Sequence, residues 1–245
     1  MNKTIFSGPL FKKALFPLAL LMSLTSASTF AYEAGDIILR FGATIVDPDD
    51  SSSDLIADNL GNLTSALGTT TGVGVDSNTQ PGITATYMLS NNLGLELLAA
   101  TPFKHNISAI GVDSLGVTSV GKTKQLPPTL SLLYFPMQSN SAWQPFIGLG
   151  LNYTLFFENS TSSNFESVFG DSGFDLDNSF GLAARIGVDY NFDDNWGVSA
   201  SVWWIDIDSD AVVTSPTGVG LGVTRLDVKA QIDPTVFMFG LNYKF

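Results

Sequence analysis

The chain has 245 residues, with 11 Lys+Arg against 23 Asp+Glu for a net charge of −12, no Cys and one His. Charged residues make up only 14% of it, against roughly 25% in a typical soluble domain. Thiol chemistry, disulfides and multi-histidine metal sites are thereby excluded, and the acidic balance argues against a nucleic-acid partner.

Residues 1–31 carry Lys3, Lys12 and Lys13, then an apolar run over 14–24, then small residues ending at Thr29 and Ala31. A basic start, an apolar stretch too short to span a bilayer and a small-residue exit predict a cleaved signal peptide, with the mature chain starting near Tyr32. Removal leaves eight basic residues against 23 acidic ones, a net charge of −15. An exported chain without cysteine fits a bacterial envelope better than a disulfide-stapled secreted domain.

From there on the period is two. Residues 36–45, 82–89, 93–100, 129–134, 146–155, 179–190, 196–204 and 237–245 each alternate an apolar face with a small or polar one. In the first, Ile37, Leu39, Phe41, Ala43 and Ile45 share a face; in the last, Phe237, Phe239, Leu241, Tyr243 and Phe245 do. That predicts eight strands. No run of the mature chain approaches the ~18 consecutive apolar residues of a membrane helix. Short turn-like connections (90–92, 138–142, 191–195) alternate with longer Gly/Ser/Thr/Asp-rich ones (48–74, 110–121, 159–177, 213–220). Tight turns at one end and long loops at the other is the layout of an outer-membrane barrel. Residues 165–169 are expected to form a helical turn inside their loop.

A soluble sandwich or barrel also alternates, but its second face needs solvating charge. Here that face is rich in Gly, Ser, Thr and Asn, with few charges. Aromatics at strand ends (Tyr87, Tyr134, Trp143, Phe157, Tyr190, Trp196, Trp204, Tyr243) predict belts at the two membrane interfaces. A closed ring leaves no edge, so the last strand must pair with the first. The predicted fold is all-β: an eight-stranded antiparallel transmembrane barrel of the bacterial outer membrane over 32–245.

Several blocks are similar to the outer membrane protein W family: the start at 32–36, then 94–105, 126–130, 145–154, 187–190, 202–208 and 232–239. The resemblance spans essentially the whole mature chain. It implies an eight-stranded barrel with a narrow, largely apolar interior and uptake of small hydrophobic compounds. The loops at 48–74 and 159–177 follow no family pattern.

The residues support a related picture on their own. Eight strands enclose a space just wide enough for side chains. The inward set holds Arg40, Glu96, Arg185, Asp189 and Lys244, expected to pair across the lumen, beside Met88, Leu98, Leu133, Phe135, Phe146, Phe156, Trp203 and Ile205. Leu98 and Trp203 are expected to form an apolar constriction, and both match family positions associated with one. Pro102, Pro127 and Pro128 lack the N–H a ladder needs, so they mark a candidate side opening between the third and fourth strands. Tyr243 and Phe245, on the closing strand, form the expected signal to the barrel-assembly machinery. The other expected partners are outer-membrane lipid, lipopolysaccharide and a small hydrophobic solute.

No catalytic site, cofactor or metal is expected. His105 lacks an acid–serine motif and reads as an interfacial polar residue. Asp206, Asp208 and Asp210 imitate a calcium loop, but Ala211 stands at its glycine position and Thr217 at its glutamate position. Besides a conduit for small hydrophobic solutes, a closed structural or adhesive barrel remains open, and an outer-membrane enzyme is disfavoured.

Overall fold

The computed structural model describes residues 32–49, 51–137, 141–215 and 222–245. The expected signal segment 1–31, residues 138–140 of the turn at 138–142, and residues 216–220 of the connection at 213–220, Thr217 among them, lie outside the described residues.

All eight expected segments are strands: β1 (Ile37–Asp47), β2 (Asn78–Ser90), β3 (Leu93–Ala100), β4 (Thr129–Tyr134), β5 (Trp143–Thr161), β6 (Ser179–Asn191), β7 (Trp196–Ile205) and β8 (Thr235–Lys244). Each pairs antiparallel with its neighbours in sequence. The ring closes where β8 returns to β1, in unbroken register from Ile38 opposite Lys244 to Asp47 opposite Thr235. Closing the ring leaves no strand of the wall as a free edge, which is what a strand needs in hydrocarbon. Among the described residues no helix is long and apolar enough to cross a membrane.

Successive side chains of a strand point to opposite faces. On β1, Ile38, Arg40, Thr44 and Val46 are buried, while Ile37 and Phe41 face out. On the outer wall Leu149 is 74% and Phe180 68% exposed, within an apolar belt that runs round all eight strands. In water such a belt would be an aggregation surface; against lipid it is the stable arrangement. At the tight-turn end Trp143 packs at a tilt on Tyr190 and Trp196 meets Tyr243 edge-on, each with ring centroids 4.7 Å apart. With Tyr87 and Tyr134 they form the periplasmic girdle, and Trp204 lies towards the opposite rim.

Where β2, β1 and β8 meet, Gly82, Gly42 and Gly240 stand in one row. A Cβ on Gly42 would lie 2.1 Å from the carbonyl oxygen of Phe239. No side chain fits there, so glycine is required for the closing seam to form.

The long connections are more than loops. β3 continues beyond Pro102 as a strand Phe103–Ile110, and Ser119–Leu126 leads into β4 across Pro127 and Pro128. These two pair with each other, with Gly72–Val75 and with the upper half of β5. Gly173–Leu176, Asp208–Thr214 and Arg225–Gln231 form the other side, joined by three two-residue strands from the first connection. The amide of Val73 donates to Ser52 Oγ at 2.9 Å and links the two sheets. The result is a second storey on the extracellular end, with its own apolar core. The expected helical turn is present as Ser163–Phe169: Ser162 Oγ accepts from the Phe165 amide at 3.1 Å, and Phe165 and Phe169 are buried.

Candidate functional site

β1 brings Arg40 into the lumen, β3 brings Glu96, and β6 brings Arg185 and Asp189, four residues apart and so on the same face. All four are almost wholly buried and all are paired. Arg40 Nη2 lies 2.6 Å from Asp189 Oδ2, and Arg40 Nη1 lies 3.1 Å from Glu96 Oε2. Glu96 Oε1 pairs with Arg185 Nη1, and Arg185 Nη2 donates to Ser201 Oγ at 3.1 Å. Thr86 bridges Arg40 and Glu96, accepting from Arg40 at 2.7 Å and donating to Glu96 at 2.9 Å. Two cations thus balance two anions. Burying such charges costs several kcal/mol per ion, which only mutual pairing and added hydrogen bonds offset. Both guanidinium groups also lie over Phe146, at 4.9 and 4.7 Å from its centroid, and Arg185 stacks on Trp203 at 3.9 Å. Of the five charges expected to pair across the lumen, Arg40, Glu96, Arg185 and Asp189 meet there. Lys244 sits half-buried at the periplasmic rim.

Beneath this layer Tyr32, Ile38, Met88, Leu133, Phe135 and Phe146 pack as one buried cluster. Above it Leu98 and Trp203 are buried in a continuous apolar column with Val46, Met238, Ile205 and Ile207. The column runs into the upper storey, where a cavity of about 60 Å³ is lined by side chains that include Ile107, Val120, Phe165, Phe169, Phe174 and Leu226. Three polar residues touch it, and each is already engaged. The Thr123 hydroxyl donates to Asn159 Oδ1 at 2.7 Å, Gln125 Nε2 lies 3.0 Å from His105 Nε2, and His105 Nδ1 lies 2.6 Å from the carbonyl oxygen of Asp76. The cavity therefore presents carbon.

His105 departs from its sequence reading. It is not an interfacial residue but a buried one, because the strand after Pro102 leaves the membrane wall and turns this position into the upper core. Burial holds its pKa below the usual histidine value, opposed by the Asp76 carbonyl bond. The calcium-like triad also regroups: Asp206 and Asp208 approach Asp233 rather than Asp210, with carboxylate oxygens within 4.8 Å of one another.

The prolines stand at a break in the wall. The β3–β4 ladder ends at Leu98 opposite Thr129, and pairing resumes only at Phe103 opposite Gln125. Residues 99–102 and 126–128 flank the break, each side tied to its other neighbour. Ala99 and Ala100 pair with β2, and the Thr101 amide donates to the Pro81 carbonyl at 3.2 Å. Leu126 pairs with β5, and the Pro128 carbonyl accepts from the Tyr153 amide at 3.1 Å. Leu98, at the upper end of the intact ladder, borders the break from inside.

At the other end, the Tyr243 ring meets Trp196 and Phe245 edge-on, and the Phe245 amide donates to the Ile37 carbonyl at 2.9 Å. Sequence reasoning missed Tyr32, Thr86, Ser201, Gln125 and the burial of His105. Ser201 and Thr86 were legible as inward positions by alternation, but their partners follow from register, which no single strand carries.

Known proteins share this architecture. Outer membrane protein W of Vibrio cholerae is 39% identical over 234 residues, covering 96% of this chain and all of that protein. The crystal structure of the outer membrane protein OprG from Pseudomonas aeruginosa superposes with a TM-score of 0.80 at 41% identity, covering 89% of this chain and 99% of that one. A dibenzothiophene metabolism operon protein, PahQ of Pseudomonas aeruginosa, is 29% identical over 135 residues, 55% of this chain and 57% of that protein. Residues 33–245 match the OmpW family over the whole barrel, and the chain is a member of that family, an outer-membrane β-barrel.

Proposed function

We propose that the barrel is a passive conduit for small, wholly apolar solutes, which enter the upper-storey cavity, descend the apolar column to Trp203 and leave sideways into the membrane. One observation carries this reading: the apolar path stops on a buried ion-pair layer beside a break in the wall. A hydrocarbon gains nothing from entering the charged layer, and a polar solute finds no free hydrogen-bonding group in the cavity to replace its water, at a cost of about 1–3 kcal/mol per group. Leu98 and Trp203 form the constriction, and 99–102 with 126–128 form the exit, its prolines keeping the ladder from closing. The name of PahQ, a dibenzothiophene metabolism operon protein, supports a solute of low polarity. The C-terminal strand with Tyr243 and Phe245 is the part read by the barrel-assembly machinery, and the outer rim meets lipopolysaccharide.

The test is uptake of a small alkane or arene by cells or vesicles carrying the protein. Trp203→Ala, which removes the column's end, is expected to change the uptake rate severalfold. A thiol cross-linker joining cysteines placed at Ala100 and Pro127 is expected to reduce it, with recovery on reduction; the native chain has no cysteine to interfere. Uptake unchanged in both overturns the route. No uptake by the unaltered protein favours a closed structural barrel instead.

A further inference from the structure

Tyr32 is 1% exposed, although it precedes β1 by five positions and belongs to no strand of the ring. A tight turn puts it there. The Asp36 amide donates to the Glu33 carbonyl at 3.1 Å, Asp36 Oδ2 accepts from the Glu33 amide at 2.8 Å, and Gly35 adopts a φ of +99° that favours glycine. The Gly35 amide donates to the Met88 carbonyl and the Ala34 amide to Asn91 Oδ1, fixing the turn against the β2–β3 connection. Residues 32–36 thus fold back into the periplasmic mouth.

Inside, the Tyr32 hydroxyl donates to Asp189 Oδ2 at 2.6 Å and accepts from Asn242 Nδ2 at 3.2 Å. Its ring meets Phe135 edge-on at 5.3 Å. Asp189 is the carboxylate that holds Arg40, so the hydroxyl touches the ion-pair layer from below while the ring fills the lumen beneath it. An aromatic with one polar tip suits this place, apolar at the ring and polar at the charged layer.

We propose that Tyr32 is the periplasmic seal of the lumen, the residue that excludes water and dissolved ions from the charged layer on that side. With Trp203 covering Arg185 from above, the four charges are enclosed between two aromatic rings and stay paired with each other. The seal determines what the barrel refuses, and it stands whether or not apolar solutes pass above it.

The experiment measures access to the layer. Ser131 lies inward opposite Glu96 and is buried. In the folded protein, Ser131→Cys is expected to react slowly with a membrane-impermeant methanethiosulfonate. Adding Tyr32→Ala is expected to raise that rate by at least about tenfold, because a closed site must otherwise open before it reacts. Tyr32→Phe, which keeps the ring, is expected to stay protected. Equal rates with and without Tyr32→Ala, in protein whose gel mobility shows it folded, overturn the seal. Should Tyr32→Ala not fold, Tyr32→Leu takes its place: it keeps an apolar contact with Phe135 but loses the ring that fills the lumen, and a rate no faster than the parent's likewise overturns the proposal. A purely structural role would lower the unfolding midpoint without changing the labelling rate.

Discussion

Replacing Glu96 by Gln keeps the shape of the side chain and removes one of two negative charges from the sealed layer. Glu96 is the shared partner of Arg40 and Arg185 and also accepts from Thr86. After the change, two guanidinium groups face Asp189 alone, and the layer carries a net positive charge out of reach of water. Breaking a buried pair in this way costs about 3–5 kcal/mol. At roughly 1.4 kcal/mol per decade, that shifts the unfolding equilibrium by more than a hundredfold. The measurement is urea unfolding of the barrel in lipid vesicles, followed by tryptophan emission and by gel mobility. A second substitution separates charge balance from packing. Glu96→Gln with Arg185→Gln restores neutrality around the surviving Arg40–Asp189 pair, so the double variant is expected to be more stable than the two single losses summed. The coupling should reach about 2 kcal/mol or more, within the range of residues sharing one network. A Glu96→Gln protein within about 1 kcal/mol of the parent, together with an additive cycle, would refute a dry, mutually paired layer.

Two further outcomes follow from the geometry. Gly42→Ala places a methyl 2.1 Å from the Phe239 carbonyl oxygen, so the closing seam must part; the folded, mobility-shifted band is expected to weaken sharply. Gly173→Ala meets nothing within 4 Å and should stay within about 0.5 kcal/mol of the parent. Burial lowers the pKa of His105 below its ordinary value of about 6.5, so between the two values the unfolded chain binds the proton and the folded one does not. Stability of the upper storey therefore rises with pH across that interval and falls as pH drops through about 6.5. Limited proteolysis is expected to cut the upper storey faster at acid pH, and His105→Gln should flatten that dependence; an unchanged pH profile in His105→Gln would rule out this histidine as its source.

Strict alternation in strands such as β6, where Phe180, Leu182 and Ile186 oppose Ala183, Arg185 and Asp189, made the barrel readable from the sequence. With one face against lipid, a one-residue slip would turn every arginine outward, so the pattern fixes the face. The four charges were legible for the same reason. What alternation does not encode is which inward residues meet across the lumen, since that depends on register and on the tilt of eight strands at once. The upper storey was illegible because its strands are short, from two to eight residues, and its apolar side chains are scattered across four connections. Leu63, Phe165, Val213 and Leu226 form a core only after the barrel has brought those connections together. His105 was misread for that reason: its strand follows the membrane pattern, but Pro102 lifts it out of the wall.

The seam between β1 and β8 joins the two ends of the described chain, Ile38 to Lys244. No local contact foreshadows it, and loop-closure entropy delays pairings so distant in sequence. Until it forms, the protein is a curled ribbon with two bare edges and a greasy outer face, open to pairing with any neighbouring copy. The most hazardous moment in its life is thus the interval before the glycine row locks, and the same row that forbids side chains makes that final step a fit without tolerance.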